Sequence, residues 1–555
     1  MKNKGFTLIE LIGVIIIMGL LIMIVFPATV KLMKDNDTKK YGYYYDLVEE
    51  AAELYANKRM DDLGGIDATG CIDDVTLSDL IKEELIKKFE DEEVTCGSPS
   101  EFVNIEDLGI VASDYVDVRI KNNKGNISSE VSLVCVKGRK LVYSNLVEKT
   151  GACSKYVAVA KNTLVEQVAK IATSTDDNVN YFVSGTATNN YVWYSGKMWR
   201  VIGYNKTDRT IKLITDELVS MVSYDTAYSN YSESNISYWL NNEFISSLKN
   251  PEVYLMDAKW NFTTVTNTNK PANTNLTTSK VGLINAYEYN KIKGFLNISQ
   301  NWWLLSRYSN TNAWYVNSSN TATNNSVANF YGVRPSIVLK ANISYMAGGT
   351  GTKENPYRLA GDASANPGTN LNTRYAGEYV NFSGNKYRIV STNSNYTRLI
   401  LVNNLSVGNI QYHYQYDNYS AMTTIGAFLN NNWYQELSDE EKAKLFTADF
   451  CTTKVLPTLS QTKACPSTDI INVTVGLPKL GDMFTTPNTS GEYWTLSIAD
   501  RIDETKPRLN VVGTNGIISQ KYIEEVSGIR PVINISSSIT IKGGAGTSDS
   551  PYTLN

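Results

Sequence analysis

This chain repeats itself, and no other feature constrains its fold as strongly. YSGKMWRVI at 194–202 matches FSGNKYRIV at 382–390, and WLNNEFISSL at 239–248 matches FLNNNWYQEL at 428–437. VGL at 281–283 recurs at 475–477, and WWLLS at 302–306 returns as YWTLS at 493–497. GVRPSIVLKANI at 332–343 matches GIRPVINISSSI at 528–539, and GGTGTKENPYRL at 348–359 matches GGAGTSDSPYTL at 543–554. Anchors kept in one order at a nearly constant offset mean two tandem copies of one fold. Within each copy, short alternating strands are separated by Asn, Gly and Ser turns, with one helix over the WLNN or FLNN segment. That pattern predicts an α+β domain rich in antiparallel strands. The copies are expected at 186–360 and 378–555, joined by a linker at 361–377, and each is expected to fold alone. Neither a sortase motif nor a second span is expected after copy two.

The other constraint is at the start. A short basic leader ends at Gly5, and an apolar run extends from Phe6 to Pro27 with one carboxylate, Glu10, inside it. About 20 such residues rising 1.5 Å each cross a hydrocarbon core. A charge buried there needs a partner and is normally functional. GFTLIE in this setting resembles the class III signal of type IV prepilins and pseudopilins. The resemblance implies that a prepilin peptidase cuts after Gly5 and that Phe6 becomes the methylated N-terminus. It also implies that Pro27 bends the first helix. Glu10 of one subunit would then pair with the Phe6 amine of its neighbour, giving two buried charges each a partner. An ordinary signal peptide would need a small-residue cleavage site that VFPATVKLMKD offers only poorly. Lys31, Lys34, Lys39 and Lys40 argue weakly against export of the remainder of the chain, but long domains translocate largely regardless of charge. The expected location is therefore the cytoplasmic membrane as a single-pass precursor, then the cell surface when assembled.

From Pro27 to about Met60 apolar residues continue at helical spacing, among them Tyr44, Leu47, Ala51, Leu54 and Tyr55. A second helix is predicted over 77–89, with Thr76 or Ser78 as cap. YVDVRI at 115–120 and EVSLVCV at 130–136, around KNNKGN, predict an antiparallel hairpin. A long helix on a small sheet over 28–155 is the architecture the leader resemblance implies. The segment 156–185 reads as a connector containing a short helix, LVEQVAKIA.

The cysteines are Cys71, Cys96, Cys135, Cys153, Cys451 and Cys465, an even set that favours disulfides outside the cytoplasm. Cys451 and Cys465 stand alone and should pair. The other four permit three connectivities, and short-loop closure favours Cys71–Cys96 with Cys135–Cys153. Free buried thiols are the alternative in a reducing envelope. No CxxC occurs and His413 is the single histidine, so no zinc site and no cofactor are expected. Net charge is −4 without a basic patch interleaved with aromatics, which disfavours nucleic acid.

The order of motifs in each copy also resembles an uncharacterised bacterial surface-domain family related to C-type-lectin-like and formylglycine-generating-enzyme-like folds. The residues carrying it are Trp199, Arg200, Trp239, Trp303, Arg334 and Pro335 in copy one. In copy two they are Tyr387, Arg388, Phe428, Trp494, Arg530 and Pro531. The arginines could be ligand contacts, but an Arg in GxRP beside a strand reads better as a buried hydrogen-bonded clamp, and the tryptophans read as core. Nothing predicts catalysis. His413 has no counterpart in copy one, copy one has no cysteine, and the loops lack clustered carboxylates for calcium. The expected function is a minor or tip pilin-like subunit whose paired modules bind an extracellular protein or glycan. A pseudopilin of a secretion or DNA-uptake machine is the alternative, and an anchored surface enzyme a remote third.

Overall fold

The computed structural model describes residues 44–60, 63, 69–86, 116–123, 125–137, 140–145, 153, 163–341, 343–414, 419–452, 465, 467–500 and 507–555. The chain forms two compact units, Met1–Ala160 and Lys161–Asn555. It is mainly β-sheet with few helices. Among the described residues no helix is long and apolar enough to cross a membrane, and the apolar run 6–27 lies outside them.

In the first unit, residues 44–58 are helical. Val48, Ala51, Ala52, Tyr55 and Ala56 recur every three or four residues, and all are buried with Val118, Ile120, Val131 and Leu133 of the sheet. That sheet runs Thr69–Thr76, Val116–Asn123, Asn126–Lys137, Lys140–Asn145, each strand antiparallel to the next. The hairpin closes at Asn123↔Asn126, where Gly125 takes φ 84° and donates to the Asn122 side chain. The helix predicted over 77–89 is shorter, Leu77–Lys82. It starts at a capping box in which Thr76 and Asp79 satisfy each other's backbone N–H.

The second unit holds both copies, and the cores of their central sheets share one strand order. In copy one the central sheet is ordered 281–282, 336–339, 211–215, 197–205, with Tyr191–Tyr194 beyond it. In copy two the order is 475–476, 532–536, 396–401, 385–392, 379–382. Even the bulge is repeated. Val201 faces Leu213 and Gly203 faces Lys212, while Ile389 faces Leu399 and Ser391 faces Arg398, so Ile202 and Val390 are the extra residues. Each copy ends by laying its last strand parallel to its first: Tyr357 beside Val192, and Tyr552 beside Val380. A second antiparallel sheet is built on the WWLLS or YWTLS strand, with Trp302↔Gly332 and Tyr493↔Gly528 as matching parallel contacts.

The segment expected as a connector departs from that reading. Its described part is a helix, Leu164–Ile171, followed by strands Ala172–Thr175 and Asn180–Val183, which extend the sheet of copy one. The reason is apolar: Leu164, Val165, Val168 and Val183 are buried in the common core. The expected linker 361–377 is likewise held, with Asp362, Leu371 and Ala376 buried. One hydrophobic cluster runs through both copies, and a second joins Leu218, Met221 and Trp302 of copy one to Leu480, Tyr493 and Val512 of copy two. Both copies thus belong to one compact unit, Lys161–Asn555.

Candidate functional site

Gly5, Phe6, Glu10 and Pro27, on which processing and assembly rest, lie outside the described residues. Cys451–Cys465 is bonded, as the spacing required. The short-loop pairing of the others is corrected: Cys71, in the first strand, bonds Cys153 across 82 residues. Cys96 and the side chain of Cys135 lie outside the described residues.

The repeat signature is structural chemistry carried out twice. Arg334 is 1 % exposed and donates to the carbonyls of Thr215, Leu296 and Asp216. Arg530 donates to Leu401 O, Thr486 O and the Tyr493 hydroxyl. Each guanidinium lies over the aromatic ring of the same strand position, Trp302 at 4.8 Å and Tyr493 at 5.2 Å. Pro335 and Pro531 come directly after, their carbonyls accepting from Thr215 N and Leu401 N. Trp303 and Trp494 are fully buried and donate to Val222 O and Ile410 O.

The WLNN and FLNN segments each contain a π-helical turn, Trp239–Phe244 and Phe428–Trp433. It turns Asn241 and Asn430 towards the neighbouring strand. Asn241 donates to Val281 O at 3.0 Å and accepts from Val281 N at 3.2 Å. Asn430 does the same with Val475, at 3.0 Å in each direction. The next residue must be glycine in both strands, since a Cβ on Gly282 would fall 2.2 Å from the Trp260 ring and one on Gly476 2.4 Å from Phe450.

Trp199 and Tyr387 are buried side by side in sequence with Arg200 and Arg388, whose roles diverge. Arg200 stays within its copy, on Asn190, Ala187 O and the Tyr191 hydroxyl. Arg388 donates to Gly377 O and pairs with Glu217 of copy one at 2.5 Å. Other bonds cross the same junction. Trp239 Nε1 donates to Gly481 O at 3.0 Å, Phe484 N to Val219 O at 2.7 Å, and Ser220 Oγ to Asp482 O at 2.9 Å.

Lys197 is the least expected group here. It is 1 % exposed, and its Nζ donates to Ser195 O, Ser247 O and Ala376 O, gathering copy one and the link into copy two. Burial, then the charge of Arg388, draws it down to about 7, although the carboxylates of Asp362 and Glu378 oppose the shift. Asp362, also buried, accepts from Ser195 N, and burial pushes its carboxyl up. Glu378 is held by Arg374 through two parallel bonds, 3.0 and 2.6 Å. None of these groups was legible as a site. Copy two has Asn385 where copy one has Lys197, so the repeat pattern carried no signal for it.

Two clefts occupy the same place in the two copies. In copy one, a cleft of about 570 Å³ includes Ile202, Gly203, Tyr204, Lys212, Tyr287 and Glu288. In copy two, a cleft of about 460 Å³ includes the corresponding Val390, Ser391, Thr392, Arg398, Gly481 and Asp482. The second is walled by copy one itself, through Trp239, Glu243, Ser246 and Ser247. The first has no wall from copy two. Among the described residues, no three His, Cys, Asp or Glu side chains converge to hold a metal.

No curated protein and no solved structure matches the chain. The family model of the prokaryotic N-terminal methylation motif matches residues 1–26. That motif marks a type IV pilin-like or pseudopilin-type precursor, processed by a prepilin peptidase, anchored first in the membrane and assembled with other pilin subunits.

Proposed function

We propose that this protein is a minor or tip subunit of a type IV pilus-like filament, displaying a two-copy binding head of lectin-like modules for adhesion or partner recognition. The observation that carries the reading is the joining of a methylation-motif N-terminus to a large, internally braced outer unit. A head of this bulk is hard to repeat in every subunit of a shaft. A binding role is favoured over a catalytic one by how the shared polar groups are used. Arg334, Arg530, Asn241 and Asn430 all spend hydrogen bonds on backbone carbonyls inside the fold, a bracing use rather than a catalytic one. Immunogold labelling of native filaments with antibodies to the outer unit is the test. Label at tips or sparsely along shafts is expected; label confined to the cell envelope would replace this reading with the pseudopilin one.

A further inference from the structure

We propose that the open cleft of copy one binds a neutral oligosaccharide. The proposal rests on the reading of the outer unit as a binding head and names its site.

Among the described residues a cleft lies at this place in each copy, and only that of copy one is lined without residues of the other copy. That of copy two is the junction itself: the loop 479–485 offers the carbonyls of Gly481 and Asp482 to Trp239 and Ser220. In copy one, Tyr287 and Glu288 stand at those positions inside helix Ala286–Ile292. The i→i+4 bonding of the helix takes their carbonyls, so a further module cannot dock there as copy one docks on copy two. That argues against a second copy of this chain as the occupant.

Copy one has instead added a wall. Strand Asn180–Val183 pairs with 203–205, an addition with no counterpart in copy two. It stacks Tyr181 on Tyr204, ring centroids 5.4 Å apart, and sets Phe182 edge-on to Tyr287 at 6.0 Å. Rings half-open to solvent present flat apolar faces, while Asn180, Asn205, Asn261 and Asn273 also line the cleft, their amides joined to one another and to Asp177. The volume falls in the range of small-molecule sites.

Charge decides the class of ligand. The carboxylates of the lining are mostly matched within the protein: Asp176 with Lys291 at 2.8 Å, Asp177 with Lys270 at 3.1 Å, Glu288 with Lys212, Asp257 with Lys280 at 3.1 Å. The two further lining charges, Asp208 and Lys259, are exposed and of opposite sign. A multiply charged ligand would meet only one unmatched charge of opposite sign, Asp208 or Lys259, and would have to break one of these pairs to find a second. A neutral saccharide need not, since its C–H faces suit the rings and its hydroxyls suit the amides.

The test uses the full chain purified in detergent micelles on an array of neutral gluco-, manno-, galacto-, xylo- and N-acetylglucosamine hexasaccharides, with heparin and polysialic acid as charged arms. Binding to at least one neutral series is expected. Tyr204→Ala should weaken it about tenfold. Should that variant melt early, Asn180→Arg carries the test from an exposed position by filling the cleft mouth. Asn385→Arg, exposed in copy two, should leave binding unchanged. Absence of every neutral series, binding to the charged arms alone, or full binding by Asn180→Arg would overturn the proposal. Filament labelling is independent of this outcome, so failure of the site and failure of the filament reading are told apart.

Discussion

Trp239 of copy one donates its indole N–H to the Gly481 carbonyl of copy two at 3.0 Å and is left 2 % exposed. The strand beside it, Ser220–Ser223, is buried at every residue. At the corresponding face of copy two, Val407 is 51 % exposed and Phe428 half-buried. One face of the fold is thus apolar interior in the first copy and surface in the second. Copy two therefore lends its core to copy one and receives Trp239 in return.

Separation should reveal that dependence. A fragment 378–555 would uncover Leu480, Phe484 and the ring of Tyr493, all fully buried in the whole unit. It should bind a hydrophobic dye and be cut by protease far faster than 161–555. Trp239→Phe in the full chain should cost about 1–2 kcal/mol, because Gly481 O loses its donor. Equal protease resistance of the two fragments would contradict a shared core.

Asn241 and Asn430 make the same two-way bond to a strand backbone, so their removal should cost the same. Asn241→Ala and Asn430→Ala each leave a valine N–H without its partner and take one donor from a C=O that keeps a hydroxyl, Ser279 on Val281 and Tyr419 on Val475, a loss of about 1–3 kcal/mol. Thermal unfolding would show it. Asn242→Ala, whose amide bonds only to Tyr238 O at an exposed position, should cost far less.

Lys197 predicts a slope with pH. In the unfolded chain its amine keeps the ordinary 10.5, while in the fold burial lowers it to about 7. Between those values the unfolded chain binds the proton and the native one does not, so stability should rise with pH across the window. The cost of holding the charge is fully present below about pH 7. From pH 7 to 9 the rise should be about 2 kcal/mol. Arg388, Asp362 and Glu378 are the charged groups that face the amine. Lys197→Met should flatten the slope, whatever it does to stability at a single pH; denaturant titrations at pH 7 and 9 decide.

At the N-terminus, Gly5→Val should leave the leader attached, seen by mass spectrometry as a chain that still begins at Met1. Glu10→Gln should be inserted and processed but poorly recruited into filaments, since breaking one side of a buried charge pair costs about 3–5 kcal/mol. Leu11→Ala should do much less.

Much of this architecture could be read in advance where a residue's role is local or doubled. The hairpin around Gly125 arises from alternation and a turn, and the GxRP arginines stand out by occurring twice in the same setting. The Cys71–Cys153 bond could not be read, since loop length says nothing about which distant residues the fold brings together. Nor could the junction. Lys197 and Glu217 are ordinary charged residues until the neighbouring copy meets them, and no periodicity records that. The hairpin 172–183 looked like connector because its polar face hides a strand whose pairing partner lies in copy one.

Each copy begins and ends on adjacent parallel strands, Tyr191 N donating to Gly351 O and Leu359 N to Trp193 O, and likewise Tyr379 N to Gly546 O and Tyr552 N to Tyr379 O. Tension entering at one end of a copy and leaving at the other runs along those strands in opposite senses, so their bonds are loaded together in shear rather than opened one after another. An anchor at the N-terminus and a ligand held in the copy-one cleft would put the pull on the first copy and leave the second slack. The second copy would then serve as a brace, keeping the strained neighbour's open face packed while it bears the load.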